Sequence, residues 1–124
     1  MNEASQVIDF QHDPGAFEAR RLRDLPDRVL EGDPYHESTV FFNGPAGDLT
    51  AGTWTSTPGK WRAFAHRDEF CYIVRGYIRL IDDDGTTRSF KTGDAFLIPN
   101  GFVGCWEVVQ TTTKHFVVRE HEAG

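Results

Sequence analysis

A carboxylic acid and a thiol stand two residues apart in the fragment Glu69-Phe70-Cys71-Tyr72-Ile73-Val74-Arg75-Gly76. In a β-strand alternate residues share a face, so Glu69 and Cys71 are expected side by side. Two chemistries follow from such a pair. The carboxylate is a metal ligand if imidazole, carboxylate or thiolate partners converge on the same point. The thiol is a nucleophile only if something lowers its pKa. A neighbouring carboxylate raises it, and no helix N-terminus is near. Cys71 therefore reads as a small buried hydrophobe. Without a metal, a carboxylate inside an aromatic-lined barrel either keeps its proton or takes a cation partner. Lys114 is the first candidate for that cation and Arg62 the second.

The histidines offer few further donors. His66 lies three residues before Glu69 in a polar stretch, and His115 lies beside Lys114. Only one of Lys114 and His115 can face inward from a regular strand. Glu69, His66 and His115 make an alternative, noncanonical metal site, whereas the first reading assigns no metal ligand. His12, His36 and His121 fall in polar or terminal segments and are expected in solvent. Trp106, two residues after Gly104, is expected to face the same interior as Glu69.

A second glycine-anchored fragment, Gly93-Asp94-Ala95-Phe96-Leu97-Ile98-Pro99-Asn100-Gly101, carries turn chemistry. Asp94 is expected to accept local backbone N–H groups. Gly76 and Gly101 are read as positions of special backbone conformation.

The elements that must position these residues are strands. Thr39 to Phe42, Leu49 to Ser56, Lys60 to Ala65, Glu69 to Arg75, Tyr77 to Asp82, Thr86 to Phe90, Ala95 to Ile98, Val103 to Val109 and Thr113 to Arg119 are β-branched, aromatic or alternating. Turn residues separate them, with Asp84-Gly85 a strong hairpin signal. Short strands at this spacing indicate a sandwich or barrel. Residues 1–35 read as an arm over a barrel formed by residues 36–124, one domain in all. The arm holds at most one short helix, over Gly15 to Arg23, with Asp13 as its cap and Pro14 at its first position.

The two fragments, read as E-x6-G and G-D-x4-P-x-G, resemble the paired motifs of the cupin family. That family follows G-x5-H-x-H-x3,4-E-x6-G and G-x5-P-x-G-x2-H-x3-N. Its paired histidines fall here on Arg62 and Phe64, or on Ala63 and Ala65, its later histidine on Gly104, and its asparagine on Val108. Only Glu69 of the usual ligand set is kept. Further fragments are similar to one subfamily, the small single-domain cupins akin to the (S)-ureidoglycine aminohydrolase cupin domain. They include Gly32-Asp33-Pro34, Ala51-Gly52-Thr53-Trp54, Thr57-Pro58-Gly59-Lys60, Gly104-Cys105-Trp106-Glu107 and Lys114-His115-Phe116-Val117, and the resemblance covers residues 30–119. It implies an all-β double-stranded β-helix (a jelly-roll β-barrel), often a homodimer. It also implies that Glu69, Cys71, Trp106 and Lys114, with Trp54 beside them, are the characteristic pocket positions. The two-domain aminohydrolases use a bound manganese, a cofactor for which this chain lacks most ligands.

Composition narrows the function. The chain has 124 residues, a formal net charge of −6 and no dense Lys/Arg cluster, which argues against nucleic acid and anionic membranes. No apolar run reaches the ~18 residues of a membrane helix. The start shows no secretory pattern, and two scattered cysteines suit a reducing compartment. The cytoplasm is the expected location. The expected function is binding of a small metabolite in the barrel interior around Glu69, with or without weak enzymatic activity. The alternatives are a metal-dependent, ureidoglycine aminohydrolase-like enzyme with noncanonical ligands, and a non-catalytic homodimeric module.

Overall fold

Two long strands organise the chain, β6 (Arg67–Asp82) and β9 (Gly104–Glu120). They pair antiparallel from Arg67↔Glu120 to Asp82↔Gly104. The computed structural model describes residues 5–121. Residues 1–4 and 122–124, the extremes of the expected arm and barrel, lie outside the described residues. The remaining strands are β1 (Ala16–Arg21), β2 (Val29–Gly32), β3 (Tyr35–Asn43), β4 (Leu49–Ser56), β5 (Gly59–Arg62), β7 (Thr87–Lys91) and β8 (Ala95–Ile98).

Each long strand changes partners along its length. The first half of β6 pairs with β8, and its second half with β7. The early part of β9 pairs with β5, which in turn pairs with β2. The later part of β9 pairs with β4, and the sheet continues through β3 to β1. The result is one sheet curled into the expected jelly roll.

The four segments Glu69 to Arg75, Tyr77 to Asp82, Val103 to Val109 and Thr113 to Arg119 therefore merge into two bent strands. The bend in β6 falls at Gly76, where the register with β9 slips between Arg75 and Tyr77. Gly76 has φ +129°, and a Cβ there would collide with Oγ1 and the backbone of Thr112. Glycine is required at this corner by conformation and by space. The buried Thr112 hydroxyl then accepts the Tyr77 N–H at 3.1 Å.

The expected helix over Gly15 to Arg23 is a correction. Ala16–Arg21 is a strand on the edge of β3, and only Leu22–Asp24 forms a single 3-10 turn. Asp13 caps no helix: its carboxylate accepts the Asp9 N–H at 2.8 Å. The helical reading lost to pairing: a strand here covers the otherwise open edge of β3. Leu22 is then fully buried and packs in the core with Trp54, Trp61, Cys71, Ile73, Ile78, Leu80, Ile98, Trp106 and Val108.

Candidate functional site

Alternation along β6 sends Glu69, Cys71 and Ile73 inward and leaves Phe70, Tyr72 and Val74 outside. On β9 it sends Trp106, Val108, Thr112, Lys114 and Val118 inward. Lys114 is the direct cross-strand neighbour of Trp54, and Trp106 that of Trp61. Direct neighbours in a ladder share a face, so these four side chains converge inside the barrel.

At the convergence is an ion pair. Lys114 Nζ donates to Glu69 Oε2 at 2.6 Å, and both side chains are about 95% buried. The ammonium lies 4.3 Å from the Trp54 ring centroid and 4.2 Å from that of Trp106, within cation–π range. Arg67 Nη2 stands 3.5 Å from the other carboxylate oxygen. Burial by itself would raise the Glu69 pKa. The charges of Lys114 and Arg67, with hydrogen bonds from Lys114 and Cys71, outweigh it and hold the group below its ordinary value. Glu69 is therefore a charged, paired carboxylate.

His36 is the second unusual group. It comes from β3, where it pairs with Arg20 of β1 on one side and Ser56 of β4 on the other. Its ring meets Trp54 and Trp61 edge-on, with centroids at 5.0 Å and 4.9 Å. The residue is 7% exposed, and its buried Nε2 has no hydrogen-bond partner. Burial, reinforced by the charges of Lys114 and Arg20, pushes its pKa down to about 3. The imidazole is neutral at physiological pH.

These groups line a cavity of about 260 Å³. Trp54, Trp61, Trp106, Phe64 and Phe116 form its apolar walls, with Glu18, Arg20 and Arg67 among the charged residues around it. Three guanidinium groups, of Arg20, Arg28 and Arg67, surround the Phe64 ring at 6.0, 4.1 and 4.9 Å from its centroid.

The residues singled out from the sequence divide as follows. Glu69, Lys114, Trp54 and Trp106 all line the cavity. Cys71 is fully buried behind it, within the core. Burial, with the charge and hydrogen bond of Glu69, pushes its thiol pKa up, so Cys71 is no nucleophile. Arg62 is a correction: it ends β5 exposed and away from the cavity, and Arg67 is the second cation at Glu69. His36, expected in solvent, is buried; its neighbours in β3 hid the inward alternation. His115 faces away from Lys114. Its Nδ1 lies 2.8 Å from Thr53 Oγ1, and its ring stacks near Tyr72. His66 sits in a turn at φ +63°, where its carbonyl accepts the His121 N–H. The alternative metal site of Glu69, His66 and His115 is therefore not assembled. Among the described residues no three His, Cys, Asp or Glu side chains converge on a point.

The fold's usual metal does not fit this donor set. Glu69 has an ammonium bonded to it where further ligands would have to approach. The arginine at position 67 was detectable in principle, because it lies two residues before Glu69 and shares its face. Trp61 had a comparable signal, a bulky aromatic flanked by Lys60 and Arg62. Phe64 was marked only as a position of the family's paired histidines, and Arg20 had no signal.

Comparison with known proteins is consistent with this geometry. The EutQ-like cupin domain family matches residues 43–116. The EutQ protein of Clostridium difficile has a similar structure, with a TM-score of 0.62 and 20% identity over 72% of this chain and 65% of that one. A protein of unknown function of the DUF861 family from Pseudomonas syringae gives a TM-score of 0.69 and 23% identity over 75% of this chain and 40% of its own. A conserved protein of unknown function from Streptococcus pyogenes gives 0.57 and 16% over 98% and 93%. The chain thus spans less than two thirds of the first two of these proteins. At such identities the likeness is one of fold. The match does not reach the narrower ureidoglycine aminohydrolase-like group. Among curated proteins none matches the sequence.

Proposed function

Because this chain belongs to the EutQ-like cupin domain family, we propose that it binds a small metabolite in the barrel interior, around the Glu69–Lys114 pair. One observation carries this reading. The cavity is lined by a buried ammonium, Lys114 Nζ, which gives one of its three N–H groups to Glu69 and finds no other hydrogen-bond acceptor among the described residues. A buried donor left without an acceptor costs about 1–3 kcal/mol, a penalty that a core built only for stability would shed. A bound molecule that supplies the partner offsets it. The volume, about 260 Å³, suits a small metabolite rather than a large cofactor.

A thermal-shift screen with small polar metabolites tests the reading. At least one class is expected to raise the melting temperature and to lose that effect in Trp106→Ala. A screen that moves neither the melting temperature nor the tryptophan fluorescence overturns it.

The second reading, a metal-dependent enzyme of the ureidoglycine aminohydrolase type, has the donor set against it. As to partners, we propose a homodimer that binds neither nucleic acid nor membrane. The absence of a basic cluster in the sequence supports the last two points, and the outer sheet face supports the first. Phe70 pairs directly with Leu97 and Val117 there, and all three are exposed. No helix among the described residues is long and apolar enough to cross a membrane. We place the protein in the cytoplasm because Cys71 and Cys105 are unbridged thiols.

A further inference from the structure

The polar atoms facing the cavity are mostly donors that lack acceptors. Lys114 has three N–H groups, and the described residues accept one of them, through Glu69. Arg67 is held only loosely, at 3.5 Å from Glu69 and 3.9 Å from Glu120. Arg20 makes no side-chain hydrogen bond or ion pair within 4 Å among the described residues; its guanidinium lies 6.0 Å from the Phe64 ring centroid. On the accepting side, Glu69 is already engaged, Glu18 offers a carboxylate and Ser38 a hydroxyl. Charge points the same way. The lining holds three cations, Arg20, Arg67 and Lys114, against two carboxylates, Glu18 and Glu69, a net charge of +1.

A carboxylate is acceptor-only, with about four lone-pair sites and one negative charge. It complements both the surplus of donors and the single surplus charge. The rest of the cavity surface is mostly aromatic, with Trp54, Trp61, Trp106, Phe64 and Phe116, which favours a flat apolar body. We propose that the pocket takes a small monocarboxylate with a flat apolar body, its carboxylate accepting from Lys114 and Arg67 and its body lying on the tryptophan walls. This rests on the reading of the barrel interior as a binding site and names the chemical class of its ligand.

The three tryptophans of the chain, Trp54, Trp61 and Trp106, all line the cavity. Intrinsic fluorescence therefore reports on occupancy directly. The test is a fluorescence titration at pH 7 with four single-ring probes: benzoate, benzamide, benzamidinium and phenyl phosphate. Benzoate is expected to bind at least tenfold more tightly than benzamide or benzamidinium, and more tightly than phenyl phosphate. Its advantage over benzamide should fall at least fivefold in Glu69→Gln/Lys114→Met, which removes one charge of each sign. It should fall two- to threefold in Arg20→Gln, a change at an exposed rim position that leaves the core intact. Benzamide or benzamidinium binding as tightly as benzoate overturns the carboxylate inference while the pocket reading stands. Tighter binding of phenyl phosphate overturns it in favour of a phosphoryl ligand. A benzoate preference that survives both variants also overturns it. Silence from all four probes in a protein that melts cooperatively overturns the binding reading itself.

Discussion

The ammonium of Lys114 lies 2.6 Å from the carboxylate of Glu69 and within 4.3 Å of the ring centroids of two tryptophans, Trp54 and Trp106. This barrel keeps the motif glutamate but neutralises it with a side chain of its own. The pair is buried, so removing one partner costs more than the pair contributes. Lys114→Met should destabilise the protein by roughly 3–5 kcal/mol and raise the Glu69 pKa, with Arg67 supplying partial compensation. Glu69→Gln/Lys114→Met should recover more than half of that loss. Urea unfolding of the four proteins in a double-mutant cycle measures the coupling. Strict additivity would show that the two groups do not interact.

His36 gives the stability a pH dependence with a defined sign. In the unfolded chain it protonates below about 6.5, whereas in the fold its pKa is pushed down to about 3. Between those values the unfolded state binds the extra proton, so stability falls as pH falls. At pH 5 the loss from this residue is roughly 2 kcal/mol. Glu69 acts in the same direction at lower pH: its folded pKa is depressed, so its contribution is present above the ordinary carboxyl range and lost as pH drops through the folded value. His36→Phe, which keeps an aromatic ring between Trp54 and Trp61, should flatten the profile between pH 7 and pH 5. Parallel profiles for the two proteins would remove His36 as the cause.

Chelation should leave the protein unchanged. A metal held a hundredfold above its dissociation constant would stabilise the fold by about 2.7 kcal/mol, so stripping it would visibly lower the melting temperature. With Lys114 bonded to Glu69, EDTA is expected to produce no such shift. Near-stoichiometric metal in untagged protein that disappears in Glu69→Gln would refute this expectation.

The outer face of β6, β8 and β9 carries Phe70, Tyr72, Val74, Leu97 and Val117, all at least 38% exposed. A second copy covering this face would remove contiguous apolar surface from water. Light scattering at micromolar concentration is expected to give twice the chain mass, and Phe70→Lys/Leu97→Asp to give the chain mass with little loss of fold. A monomeric wild-type protein would leave this face to some other role.

Local patterns were enough to indicate a jelly roll and to turn Glu69 and Cys71 toward its interior. Strand alternation has a period of two and is written in neighbouring residues. Glycine corners such as Gly76 announce themselves by spacing. The choice between Lys114 and His115 was not local, because either residue suits either face of β9. It was settled when Lys114 came opposite Trp54 in β4 and His115 opposite Thr53. The helix expected over Gly15 to Arg23 failed for the same reason, since a free edge on β3 outweighed a local capping signal. His36 and Arg20 lie 33 and 49 residues from Glu69 in the chain. They enter the pocket only because β1, β3 and β4 pair in one register, and no spacing within a single strand encodes that meeting. Motif and fold were thus legible in short-range order. The pocket's charge balance, its neutral imidazole and its surplus of donors arise from long-range strand pairing, which only the tertiary structure decides.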